Sequence, residues 1–120
     1  MGKRGRKRQR GQGDAAPAST TPYTDSAGNV LTLRDELSAG TLRGLERLDA
    51  KPAANAEDRW QRRVEYLFER LVVSWEIAGL PLDGQRELLG RYRMASADER
   101  RDVRAALAEH LGKRHPEVDV

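Results

Sequence analysis

Lys3, Arg4, Arg6, Lys7, Arg8 and Arg10 place six positive charges in the first ten residues with no acid among them. Side chains of this type in this density can contact phosphates through charge alone, at a typical non-specific Kd of roughly 10⁻⁴ to 10⁻⁶ M. No aromatic residue is interleaved, so base stacking is not offered. The alternative is a solvated stretch with no dedicated partner. Other chemistry is thinner. His110 and His115 are five residues apart, whereas one helical face places ligands three or four apart, and Pro116 breaks a helix beside His115. Asp98, Glu99 and Asp102 cluster where a helix should begin, and the helix dipole accounts for them. Gly11-Gln12-Gly13 and Gly40-Thr41-Leu42-Arg43-Gly44 lack the lysine and the preceding strand of a phosphate loop. Ser74 and Ser96 have no histidine at a suggestive spacing. Cysteine is absent, which removes disulfides, thiolate metal sites and cysteine nucleophiles. The expectation is a binding or assembly protein rather than an enzyme, with no cofactor and no metal.

The elements that must carry such a function are set by composition. At 120 residues the chain supports one domain. Charged residues make up 34% and apolar residues 38%, so the core is modest. No stretch approaches the length of a transmembrane helix, and the cationic N-terminus lacks the apolar region of a secretory signal. The formal net charge of +3 hides a split. With six of 22 basic residues in the first ten, the remainder carries 16 basic against 19 acidic side chains.

Residues 1–22 contain no large apolar side chain after Met1 and read as a disordered basic tail. Residues 23–115 read as a mainly α domain with a short N-terminal β-hairpin, and 116–120 as a C-terminal tail. Tyr23-Thr24 and Val30–Leu33 flank a turn cluster, Asp25 to Asn29, predicting a hairpin over about 23–34. Helices are predicted over about 38–48, 56–78, 84–93 and 97–111. The longest rests on Trp60, Val64, Leu67, Phe68, Leu71, Val72 and Trp75, at offsets 0, 4, 7, 8, 11, 12 and 15. Leu71 to Trp75 alone could pass for a strand, but the continuous period favours helix. Tyr66, Val73 and Ile77 add a second stripe. One stripe serves the core, and Trp60, Tyr66, Phe68, Val73, Trp75 and Ile77 are the candidates for a core or partner surface, self-association included. Ser96 to Glu99 has the form of a capping box, and Gly112 reads as the stop of the last helix.

Two stretches carry a resemblance to a known family. Gly28-Asn29-Val30-Leu31-Thr32-Leu33-Arg34-Asp35-Glu36-Leu37-Ser38-Ala39-Gly40 joins a polar turn and a strand to a helix. Leu71-Val72-Val73-Ser74-Trp75-Glu76-Ile77-Ala78-Gly79-Leu80-Pro81-Leu82 joins an apolar segment with a tryptophan to a turn and a proline. Over about residues 23–95 the chain resembles the tail assembly chaperones of long-tailed, siphovirus-like bacteriophages. The resemblance implies a non-enzymatic morphogenesis factor in the host cytoplasm. Such a factor coats the tape-measure protein until tail-tube subunits polymerise around it, and often exists in a short and a frameshifted longer form. Two other functions fit the residues: a nucleic-acid-associated protein that grips phosphates through the basic tail, and a virion structural component of connector or capsid type.

Overall fold

The structure, a computed structural model, describes residues 19–118; the basic stretch Lys3–Arg10 lies outside them. In chain order the elements are β1 (Thr20–Thr24), β2 (Val30–Arg34), α1 (Ala39–Ala50), α2 (Ala56–Leu71), β3 (Val72–Ile77), β4 (Leu80–Asp83), α3 (Gln85–Arg93) and α4 (Ala97–Arg114). The four strands form an antiparallel meander in the order β1-β2-β3-β4. The fold is therefore mixed α/β, which corrects the expectation of a mainly α domain.

The correction is made at one place. The long helix expected over 56–78 stops at Leu71, and the chain passes directly into β3. Neither glycine nor proline marks the junction, and the Val72 N–H still bonds back to Phe68. What wins is pairing. Leu31 stands opposite Trp75, and Leu33 opposite Val72, so β3 closes a ladder that the β1–β2 hairpin would otherwise leave half-exposed. The register shifts there: Thr32 faces Ser74 while Leu33 faces Val72, leaving Val73 as the extra residue of a β-bulge. Because of the bulge, Val72 and Trp75 point to the same face although three residues apart, and both are buried. A bulged strand thus reproduces the spacing of a helix, and that spacing misled the sequence reading. The segment Gly79 to Leu82, expected to be only a break, belongs to a hairpin. Ala78 and Gly79, at φ 54° and 80°, make its two-residue turn, in which the backbone twist matches that of the strands.

Three smaller boundaries also move. Thr20 to Pro22, assigned from sequence to the disordered tail, pair with Thr32 to Arg34 in β1, and the Asp35 N–H donates to the Ser19 carbonyl. Backbone pairing orders residues that have no apolar side chain to bury. Gly112 does not end α4. The helix continues to Arg114, with Lys113 and Arg114 at the negative end of its dipole. Val118, assigned to a C-terminal tail, is buried in the core, because the turn after Pro116 bonds its N–H to His115.

One row of side chains crosses the whole sheet on its inner face: Tyr23, Leu31, Trp75 and Leu82. Leu33 and Val72 lie beside it. Against this floor sit Val64, Leu67, Phe68 and Leu71 of α2, Leu88 and Tyr92 of α3, and Val103, Leu107 and Leu111 of α4. Phe68 is their centre, stacked on Tyr92 at 4.9 Å and edge-on to Trp75 at 6.0 Å. Three of the four helix starts are capped by side chains: Ser38 accepts from Thr41, Asn55 from Asp58, and Ser96 and Glu99 form a complete capping box, whereas α3 starts at Gly84 without one. The opposite face of the sheet carries two rows, Pro22-Thr32-Ser74-Asp83 and Thr24-Val30-Glu76-Pro81, none of them buried. Each edge strand holds a proline, Pro22 in β1 and Pro81 in β4.

Two outcomes follow from this packing. Trp75→Ala should cost about 3–5 kcal/mol, as expected for truncating a buried aromatic, and thermal melts should show a far smaller loss for Ile77→Ala at the sheet margin. The second concerns Glu99, whose hydrogen bond from Arg91 holds its carboxyl below the ordinary 4.5. A lowered folded value contributes stability that is complete above pH 4.5 and lost as pH falls through the folded value. Glu99→Gln keeps the cap but removes the charge, so its melting temperature should fall less steeply below that pH than that of the parent chain.

Candidate functional site

The best-built polar arrangement joins the β1–β2 hairpin to α4. His110 is 1% exposed. Its Nε2 lies 2.7 Å from the Arg34 carbonyl oxygen, and its Nδ1 lies 2.8 Å from the Tyr23 hydroxyl. A carbonyl only accepts, so Nε2 carries the proton, and Nδ1 accepts from Tyr23. In this tautomer both ring nitrogens have a hydrogen-bond partner. Burial also raises the Tyr23 phenol above its ordinary value, Lys113 opposing, which keeps the hydroxyl a donor. Beside it, the buried carboxylate of Asp35 accepts from the Thr21 hydroxyl and lies 3.5 Å from Arg114. The second histidine serves the same seam: His115 Nε2 accepts from the Leu37 N–H at 3.2 Å. The two histidines thus hold separate backbone groups instead of converging. Among the described residues no cluster of three His, Asp or Glu side chains could hold a metal ion.

At the other end of the hairpin a cleft of about 220 Å³ opens between the β1–β2 turn and α4. Tyr23, Leu31 and Trp75 form its apolar side. Asp25, Asp102 and Glu109 line it with carboxylates, and no lysine or arginine is among its lining residues. Asp25 spends one oxygen on its own turn, accepting from the N–H groups of Ala27 and Asn29. Glu109 is paired with Lys113 at 2.9 Å, and that ammonium also lies 5.9 Å from the centre of the Tyr23 ring. The Asn29 side chain accepts from the Ala78 N–H, which ties the β1–β2 turn to the β3–β4 turn.

The surface candidates named from sequence do not form one surface. Phe68 and Trp75 are core. Tyr66 packs against α1, where its hydroxyl donates to the Thr41 carbonyl at 2.9 Å. It fills the space that a Cβ on Gly44 would occupy, only 2.1 Å from its hydroxyl oxygen. Trp60 is half-buried beneath the Arg104 guanidinium, 4.7 Å from its ring centre. Val73 and Ile77 are on β3, so the second helical stripe expected to join them to Tyr66 does not exist. Lys3, Arg4, Arg6, Lys7, Arg8 and Arg10 lie outside the described residues. From sequence, Tyr23 was only a hairpin residue and Asp102 only part of a helix-start cluster, and neither those two nor Asp35 was a candidate for this site. His110 falls on the apolar stripe of α4, the one sign that it is buried. Set against known protein families, characterised proteins and solved structures, the chain matches none. Among the described residues no helix is long and apolar enough to cross a membrane.

The seam yields a direct test. Tyr23→Phe leaves the buried Nδ1 of His110 without its donor, at a cost of about 1–3 kcal/mol. Urea denaturation of the variant should show that loss, with helical circular dichroism in the absence of denaturant unchanged.

Proposed function

We propose that the chain is a non-enzymatic morphogenesis factor of the tail assembly chaperone kind, which holds the tape-measure protein in the host cytoplasm and then releases it to tail-tube subunits. The observation that supports this reading is the way the two resembling segments meet. Gly28 to Gly40 supplies β2, and Leu71 to Leu82 supplies β3 and most of β4. Separated in sequence by residues 41–70, they pair as neighbouring strands and are joined again by the Asn29–Ala78 hydrogen bond. The stretches that carry the resemblance thus form one structural unit.

That unit presents an open sheet face for a client. Thr32, Ser74 and Val30 occupy its middle, and Arg34, Glu76 and Asp83 carry charge around them. Small hydroxyl and methyl groups inside a charged margin suit a contact that must be reversible, because large buried anchors dominate tight interfaces. Self-association through the same face belongs to this reading. The nucleic-acid alternative rests on Lys3 to Arg10 alone.

Co-expression with the tape-measure protein tests the proposal. The parent chain should keep that protein soluble and co-purify with it. Thr32→Arg and Ser74→Arg, on the outer face, should lose the client while melting at the parent temperature. A parent chain that leaves the tape-measure protein insoluble and does not co-purify with it would refute the function.

A further inference from the structure

The cleft between the β1–β2 turn and α4 has features that the assembly reading does not use. Its wall sets the Tyr23 ring beside Leu31, Val103 and the buried Trp75, its margin carries Asp25, Asp102 and Glu109, and it has no cationic lining residue. Aromatic faces with nearby carboxylates favour a cation, through the ring quadrupole and through ion pairing. At about 220 Å³ the space suits a single extended side chain and falls below the usual volume of small-molecule sites, about 300–1,000 Å³. Its margin already attracts one such group, the Lys113 ammonium between Glu109 and Tyr23. Asp102 has no ion-pair partner among the described residues.

The same chain carries a complementary segment. Lys3 to Arg10 contains six cations and no acid. The backbone from Arg10 to Ser19 can extend about 30 Å, while β1 separates Thr20 from the cleft end of the sheet by only about 16 Å. The tether is nearly twice the distance it must cover. We propose that the cleft is a receptor for a guanidinium or ammonium side chain, and that its occupant is the chain's own Lys3–Arg10 segment, bound in cis. Docking there would cover the acidic margin and hold the basic stretch close to the hairpin. As a set of partly exposed ion pairs, it would be weak and sensitive to salt.

The absence of cysteine makes the test clean, because a single introduced thiol labels one position. A nitroxide on Gly5→Cys in the full chain should broaden the amide resonances of residues 25–29 and 102–109 by paramagnetic relaxation. Amides of α1, on a different part of the fold, should keep their intensity. The effect should be strong near 0.01 M ionic strength, where the Debye length is about 30 Å, and lost near 1 M, where it is about 3 Å. Asp102→Lys with Glu109→Lys should abolish it at low salt, and an unchanged melting temperature would show that the fold survives. Uniform or absent broadening at low salt overturns the proposal. Broadening seen only when a labelled chain is mixed with an unlabelled, isotope-enriched one assigns the contact to a second copy and overturns the cis arrangement. None of these readouts involves the tape-measure protein, so the inference and the proposed function fail separately.

Discussion

The pairing of β2 with β3 carries α2, α3 and α4, and α1 in turn packs on α2. Leu31 and Leu33 from one strand, and Val72 and Trp75 from the other, form the floor that Phe68, Leu107 and their neighbours cover. The two strands are separated in sequence by α1 and α2, so the ladder closes a long loop and fixes both ends of that helical pair. Loop closure costs grow slowly with length, and buried apolar area on the sheet offsets them. Without the β2–β3 ladder, the β1–β2 hairpin would be an isolated two-stranded element, which is marginal in water. The helix α2 would also have no fixed C-terminal end.

The local signals in the sequence were readable where the chain states its own geometry. The Asp25–Asn29 turn is stated by an aspartate and a glycine, and the Ser96–Glu99 box by two side chains that satisfy each other. The run from Trp60 to Leu71 is a helix because five apolar residues share one face over three turns. The reading failed where a non-local contact decides. Val72 to Ile77 continues the apolar period of α2 only because a bulge at Val73 resets the alternation, and nothing in the sequence declares a bulge. The polar seam was hidden for the same reason. Tyr23, Asp35 and His110 are far apart along the chain and mean little until β1 and α4 are brought together.

The polar groups of the fold are used economically. His110 and His115 are the only two histidines, and each satisfies backbone groups that would otherwise be buried without a partner or lie at an element end. Arg91 links Glu99 of α4 to the ring of Trp75 on β3, and Arg100 lies over Tyr92. An arginine-rich composition thus serves as a set of flat, cationic covers over the aromatic core. The acidic cleft is a place where carboxylates gather without a guanidinium on top.

The two edge prolines bear on how copies of this chain live together at high concentration. A meander sheet with bare edges can recruit the strand of a neighbour and grow into an aggregate. Pro22 and Pro81 each remove a donor from the outer rim, and β4 is only four residues long. A new strand would find interrupted hydrogen bonding at either side. Lateral growth of the sheet, edge strand to edge strand, is therefore closed to these chains as a way of assembling.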